Sequence, residues 1–275
     1  MFTKFKMIVV SSAICLFVLT TSVHAEAGSA QAEVNTRPKL EQTIKEELAK
    51  KSATITITYT SKDMKDSASY LQGIRDSIDH ARETVREDLF WDLKGLSYKM
   101  KGSVGNLTIT LTPEYLTTAE QDAYVDKEVD RILGDIVKPD MSDFEKESAI
   151  HDYVVSTTSY EDLDEIGHTA YSALYNHKAV CQGYAILTYK LLAKAGIESH
   201  LVVGYLNGDP AQTHMWNEVH IENNWYMLDT VFDDPTPDHP GVQSREYFNV
   251  TNAALKDLGH TWVESDYPIA DTLYK

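Results

Sequence analysis

The sequence has few basic residues and almost no cysteine. Its 275 residues include two cysteines, and 25 lysines and arginines stand against 42 aspartates and glutamates, a formal net charge of −17. So acidic a surface repels phosphate backbones, which argues against nucleic-acid binding and favours a cationic partner. After residue 25 no apolar run is long enough to cross a bilayer. The composition, 43% hydrophobic and 24% charged, is that of a globular protein of one or two domains.

The first 25 residues have the layout of a secretory signal. Lys4 and Lys6 form a short basic start, residues 7–19 are almost wholly apolar, and Ala25 is a small residue at the expected cleavage site. The apolar run is short for a membrane span, although an uncleaved anchor is the alternative. We therefore expect an exported protein that has no membrane attachment once the signal is cleaved. The mature chain keeps one cysteine, Cys181, so it cannot form an internal disulfide.

Composition and periodicity divide the rest of the chain into three parts. Residues 26–39 are rich in alanine, serine and polar residues, and we predict a flexible leader. Residues 40–139 mix helical and strand-like patterns and are predicted to form a small α+β domain of unknown role. The turn-like residues 138–141 mark the predicted boundary. Residues 140–275 contain a helical segment followed by several strand-like segments, which indicates a second α+β domain.

Cys181 lies at the predicted start of a helix over residues 180–195. The first backbone N–H groups of a helix have no acceptor within it, and the helix dipole favours negative charge at this end. A thiolate would be stabilised there, and the thiolate is the reactive form of cysteine. The same N–H groups could hold an oxyanion beside the sulfur. A buried structural thiol is the alternative interpretation of the same placement.

His214 and Asp229 lie on two successive predicted strands, residues 213–219 and 225–231. If a two-residue turn at Glu222-Asn223 joins the strands, Asp229 lies opposite Trp216 and is the diagonal neighbour of His214, within reach of a hydrogen bond. A turn one residue later would move the pair apart. Thiol, imidazole and carboxylate would together form a nucleophile, its base and the group that fixes the base's tautomer. Each of the two residues alone could equally be structural.

Three segments resemble the motifs of the transglutaminase-like superfamily. The match covers residues 142–235, with a similar extension to residue 262, and its motifs are Ala-Val-Cys-Gln-Gly-Tyr-Ala at 179–185, His-Met-Trp-Asn-Glu-Val at 214–219, and Trp-Tyr-Met-Leu-Asp-Thr-Val-Phe-Asp-Asp-Pro at 225–235. The resemblance implies a papain-like fold, in which a helix bearing the cysteine packs on an antiparallel sheet bearing the other two groups. It implies that Cys181 is the nucleophile, His214 the general base and acid, and Asp229 its orienting partner.

Four further residues near these motifs have both a functional and a structural interpretation. Gln182 could donate to an oxyanion or lie on the helix surface. Tyr171 could line the site or belong to the core, and Trp216 could shield the His–Asp pair from water or simply be core. Gly183 would permit another element to approach closely behind the nucleophile, and an ordinary small residue is the alternative interpretation.

The sequence predicts no cofactor and no metal site. Asp233, Asp234 and Asp238 form an acidic loop, but they lack the spacing of a calcium-binding loop, which favours a solvated turn. Cys181 with His200, His214 and His220 could be considered as zinc ligands. However, these residues lack the paired spacing that is typical of zinc sites.

Two hypotheses about function follow. The first is an exported cysteine-dependent acyl-transfer enzyme that acts on peptide or protein amides, including cell-wall peptides. The resembled family comprises transglutaminases, peptidases and deamidases, and some members have lost activity. The second hypothesis is therefore a non-catalytic cell-surface or wall-binding module with a relic triad, motivated by a first domain without catalytic residues.

Overall fold

The computed structural model describes residues 28–62, 66–234 and 244–274, so the predicted signal at 1–25 lies outside it. The chain divides into two compact units. Of the described residues, the first unit contains 28–62, 66–83 and Leu96–Pro113, and the second contains Thr84–Gly95 and those from Glu114 onward. Among the helices of the described ranges, none combines the length and the apolar character of a bilayer span.

The first unit is a four-stranded sheet with two helices. The strands follow the order β1-β2-β4-β3, in which β1 is parallel to β2 and β2 is antiparallel to β4. The inward-facing residues Ile55, Ile57 and Tyr59 of β2 are fully buried and alternate with half-buried threonines. The elements are β1 (Ser29–Val34), α1 (Arg37–Ala49), β2 (Thr54–Tyr59), α2 (Ser67–Glu83), β3 (Leu93–Ser103) and β4 (Asn106–Tyr115).

The flexible leader predicted for residues 26–39 is wrong from Ser29 onward. Residues of β1 pair in register with β2, and α1 begins only three residues after β1 ends. The Thr36 hydroxyl caps α1 by accepting from the Lys39 N–H. The half-buried positions of β1 are Ala30 and Ala32 rather than large aliphatic residues, so its alternation gives little hydrophobic signal. Pairing with β2 supplies the stability instead.

The second unit has the predicted α+β architecture, with a cysteine-bearing helix packed on an antiparallel sheet. Its sheet has the order β10-β7-β8-β9, and every neighbouring pair is antiparallel. Its helices are α3 (Glu87–Asp92), α4 (Ala119–Ile136), α5 (Asp143–Thr157), α6 (Ala170–Tyr175), α7 (Cys181–Lys194) and α8 (Asn252–Asp257). Its strands are β5 (Ser159–Tyr160), β6 (Lys178–Ala179), β7 (Ser199–Leu206), β8 (Thr213–Ile221), β9 (Asn224–Leu228) and β10 (His260–Trp262).

The core of this unit lies between α7 and the sheet. Tyr184 and Leu187 of α7 share one buried apolar cluster with Met215 and Val219 of β8. The odd-numbered residues of β8 therefore face α7, while His214, Trp216 and Glu218 lie on the other set of alternating positions.

The predicted boundary near residue 139 does not coincide with the division between the units. Helix α4 ends just before that point, but its buried residues Val125, Val129 and Ile132 belong to the same apolar cluster as α7. The proline at 139 marks the end of a helix, which local sequence can indicate. It does not reveal on which core the helix packs.

Candidate active site

Cys181 is the first residue of α7 and is partly exposed. The preceding Val180 N–H donates to the Gly167 carbonyl at 3.0 Å. A Cβ at Gly183 would lie 2.7 Å from both the Ala179 Cβ and the Gly167 carbonyl oxygen. The close approach predicted for Gly183 is therefore present, and it fixes the turn of α7 that carries the sulfur.

His214 and Asp229 are brought together by the predicted hairpin register. Ile221 pairs with Asn224, so Glu222 and Asn223 form the two-residue turn. The residue with positive φ in that turn is Glu222, at 58°. Asp229 directly follows β9, and its Oδ2 lies 2.6 Å from Nε2 of His214.

The charges of this pair stabilise each other. Burial opposes protonation of His214, but the Asp229 carboxylate and its hydrogen bond, together with Cys181, raise the pKa of His214 to about 10. Burial would likewise raise the pKa of Asp229, but the contacts with His214 and His260 hold it well below its usual range. Cys181 lies close enough to His214 to contribute to that rise. Thiol, imidazole and carboxylate are thus brought together in one place.

Asp229 has a further partner, His260, to which the sequence analysis assigned no role. Nε2 of His260 lies 3.0 Å from Asp229 Oδ2, while the N–H groups of Val231 and Phe232 donate to Oδ1 at 2.9 and 3.2 Å. The carboxylate therefore accepts four hydrogen bonds. His260 lies within the similarity that extends to residue 262, but no motif spacing connects it with Asp229.

Aromatic side chains surround the imidazole and the sulfur. Trp216 stacks on His214 with 5.9 Å between ring centroids and is 1% exposed. Phe232 meets the His214 ring edge-on at 5.1 Å and is 38% exposed. Tyr160 is half exposed, and burial followed by the nearby Cys181 raises its pKa. Of these three aromatic residues, Trp216 is a site residue predicted from the sequence, whereas Phe232 and Tyr160 are not.

The other two residues named as site-lining have different contacts. The Gln182 amide donates to the Trp91 carbonyl at 3.2 Å, a use other than the predicted oxyanion contact. Tyr171 stacks on Tyr175 with ring centroids 5.1 Å apart and meets Tyr124 edge-on. These contacts support the structural interpretation of Gln182 and Tyr171.

The metal-binding alternatives receive little support from the described residues. His200 and His220 stack on Trp225, so they do not join Cys181. His214, Asp229 and His260 have potential ligand atoms within 4.8 Å of one another, but hydrogen bonds to the carboxylate account for that proximity.

The acidic loop predicted to be a solvated turn is buried where the structure describes it, and Asp238 lies outside the described residues. Asp233 is fully buried and lies 3.1 Å from His151 Nε2, and Asp234 accepts from the Tyr184 hydroxyl at 2.6 Å. The solvated-turn prediction is therefore wrong for Asp233 and Asp234. Both anchor the segment that follows Asp229, because buried carboxylates need such donors.

This chain is similar to several known proteins. Residues 130–230 match the core model of the transglutaminase-like superfamily. Kyphoscoliosis peptidase of Mus musculus is 24% identical over 173 residues, 56% of this chain and 25% of that protein. The Homo sapiens protein of that name is 25% identical over 118 residues, 38% and 18% of the two chains. This chain thus spans a quarter or less of these relatives.

A solved structure described as a TGase has a TM-score of 0.39 at 15% identity, over 79% of this chain and 64% of that one. Residues 130–230 are therefore similar to the core of the transglutaminase-like superfamily.

Proposed function

We propose that this chain is an exported cysteine-dependent acyl-transfer enzyme that acts on peptide or protein amides. The observation that carries the proposal is the 2.6 Å contact between His214 and Asp229, with Cys181 at the start of α7 and close enough to His214 to affect its pKa. The superfamily match supports the same class of chemistry. The names of the mouse and human relatives, which are called peptidases, are consistent with it.

The charges around His214 favour an imidazolium, which would stabilise a thiolate at Cys181 as its counter-ion. Because the pKa of His214 is raised to about 10, the ring holds two protons at neutral pH, and Asp229 remains ionised. Asp229 occupies Nε2, which leaves Nδ1 for the proton given up by Cys181. A thiolate prepared in this way is the nucleophile that amide chemistry requires.

The reaction would proceed in two halves. The Cys181 sulfur bonds to the amide carbonyl carbon, the C–N bond breaks, and His214 gives its proton to the leaving amine, which leaves a thioester. Water or a second amine then attacks the thioester, passes its proton to His214, and releases the thiolate as the C–S bond breaks. The first-turn N–H groups of α7 would stabilise the oxyanion in both halves.

The substrate class and location are part of the proposal. A net charge of −17 favours peptides that carry lysine, which could also supply the attacking amine. Export rests on the signal-like residues 1–25 and would give access to cell-wall peptides. No metal or cofactor is needed for either half of the reaction.

The test is mass spectrometry of lysine-containing peptides and wall fragments after incubation with the wild type, Cys181→Ala and Asp229→Asn. We expect products from the wild type and none from Cys181→Ala. Asp229→Asn should slow turnover by about 10²- to 10⁴-fold, because the amide cannot stabilise the imidazolium. Hydrolysis, deamidation and cross-linking differ in product mass, so the spectrum also identifies the acceptor.

Undiminished turnover by Cys181→Ala would refute the proposal. Binding of wall polymer by the wild type without any product, and equally by Cys181→Ala, would instead support the non-catalytic surface module.

A further inference from the structure

His260, the second histidine that contacts Asp229, takes no part in the reaction proposed above. His260 is fully buried at the start of β10, and its Nε2 meets the same oxygen, Asp229 Oδ2, that accepts from His214. An ionised carboxylate can only accept hydrogen bonds, so Nε2 of both rings carries a proton. We propose that His260 is a positioning residue that holds the Asp229 carboxylate in place against His214. This inference rests on the function proposed above.

The hydrogen bonds of Asp229 explain why a second donor is useful. Oδ1 is held by the N–H groups of Val231 and Phe232, which belong to the segment directly after Asp229. Without His260, Oδ2 would be held only by His214, the group that gains and loses a proton in each half of the reaction. Donation from His260 ties this oxygen to β10, a strand that supplies no reacting group.

The surroundings of His260 fix the direction of its donor. The ring packs against Trp216, Phe232 and Tyr247, with centroids 5.1, 5.0 and 5.7 Å away. Its Nδ1 is buried and has no hydrogen-bond partner among the described residues. A ring with its single proton on Nε2 satisfies both observations, because an unprotonated Nδ1 needs no acceptor. Such a neutral donor holds Asp229 without placing a second positive charge beside the His214 imidazolium.

The titratable side chains that face this arrangement come from several elements. Cys181 of α7 lies close enough to His214 of β8 to raise the pKa of the imidazole. Tyr247 packs on His260, and burial, Glu246, Asp229 and Asp233 together raise the pKa of Tyr247. The Tyr247 phenol is therefore neutral over the range in which the thiolate–imidazolium pair forms, so it does not complicate a pH profile below neutrality.

The experiment compares His260→Gln with His260→Met in the full chain. The two side chains have similar volumes, but only glutamine offers an N–H donor near the position of Nε2. The readouts are the rate of Cys181 alkylation by iodoacetamide from pH 4 to 9 and the urea midpoint of each variant. We expect His260→Met to slow alkylation at pH 6 about tenfold. The acid limb of its profile, where the alkylation rate rises with pH, should also move to higher pH, because a loosely held Asp229 stabilises the imidazolium less. His260→Gln should retain most of the wild-type rate.

His151→Met is the matched control, since it removes a donor from another fully buried histidine–carboxylate contact, His151 Nε2 to Asp233. His151→Met should lower the urea midpoint without moving the acid limb of the alkylation profile. Identical alkylation profiles for His260→Gln and His260→Met, or rates that follow the urea midpoint in all three variants, would overturn the positioning role. Alkylation needs no substrate, so this result is independent of the proposed function, which fails if Cys181→Ala retains turnover or if the wild type forms no product.

Discussion

Asp229 and Glu218 are both buried carboxylates, but their surroundings are opposite. Asp229 accepts four hydrogen bonds, and the pKa of its carboxyl is held low. Glu218 is fully buried on β8, and neither of its carboxylate oxygens has a hydrogen-bond partner among the described residues. Burial raises the pKa of Glu218 to about 8, against a smaller opposing effect of His200. At neutral pH the first group is therefore ionised and the second largely protonated.

Glu218 should make the fold less stable as pH rises. Its carboxyl keeps a proton in the folded state between its ordinary pKa of 4.5 and about 8, whereas the unfolded chain loses that proton. The unfolding free energy therefore falls across this window and levels off above it. Replacing Glu218 by Gln should remove about 4 kcal/mol of the difference in unfolding free energy between pH 5 and pH 9. Urea unfolding of both proteins at pH 5, 7 and 9 measures this difference in unfolding free energy.

The exposed strand residue Glu114 provides the control for this prediction. Glu114→Gln should leave the pH dependence of the wild type unchanged. If Glu218→Gln retains the full wild-type fall between pH 5 and pH 9, Glu218 is ionised in the folded protein and must have a donor that compensates its burial.

The sequence could predict the contact between His214 and Asp229 but not the contact of Asp229 with His260. The first depends on strand parity and on one turn, and both are local properties of residues 213–231. The second depends on the order of strands in the sheet, because β10 reaches the site by pairing with β7. That pairing joins segments more than 50 residues apart, and a three-residue strand carries almost no periodicity of its own.

At the scale of elements, the start of α7 is the feature that places the nucleophile. Gly183 lies in contact with backbone atoms of residues 167–169, and its missing Cβ makes this packing possible. Gly183→Ala would force the new methyl group to within 2.7 Å of the Gly167 carbonyl oxygen. We expect a loss of about 1–3 kcal/mol in unfolding free energy and slower alkylation of Cys181, because the first turn must shift. Urea unfolding and iodoacetamide kinetics on the same preparation measure both effects.

Gly134 of α4 is the matched control, since a Cβ there would have no atom within 4 Å. Gly134→Ala should stabilise the protein by roughly 0.5–1 kcal/mol, as expected for a helix interior, without changing the alkylation rate. If Gly183→Ala behaved like Gly134→Ala, the contact behind α7 would not be what positions the sulfur.

Elements were predictable where large apolar residues set a clear period. The strictly alternating β2 and the long helix α7 were both apparent from the sequence, and the structure confirms them. Strand β1 was missed because alanine occupies its half-buried positions, and its pairing with β2 is what makes it a strand. The amino-acid composition of a segment does not show whether its backbone will hydrogen-bond to a neighbouring strand.

At the scale of the whole molecule, the core around α7 draws on chain segments that lie before residue 139. Helix α4 contributes Val125, Val129 and Ile132 to it. From residues 84–95, Asp88 pairs with Lys190 of α7 at 2.7 Å. Burial opposes ionisation of Asp88, but Arg86 and Lys190 lower its pKa to about 2. The second unit therefore needs these segments, although the turn-like residues 138–141 place the predicted domain boundary after them.

A fragment that begins at residue 140 should consequently fail to fold. Each of the three aliphatic residues of α4 contributes roughly 1.5–3 kcal/mol by burial, and their sum is comparable with the total stability of a typical domain, about 5–15 kcal/mol. A second fragment would keep residues 84–95 and 114–275 and replace 96–113 by a short turn, since a Cβ at Gly95 would lie only 3.8 Å from the Glu114 side chain. We expect cooperative urea unfolding and pH-dependent Cys181 alkylation from the second fragment only. Cooperative unfolding of the fragment 140–275 would show instead that α4 and α3 are dispensable and that the boundary read from the sequence delimits an independent domain.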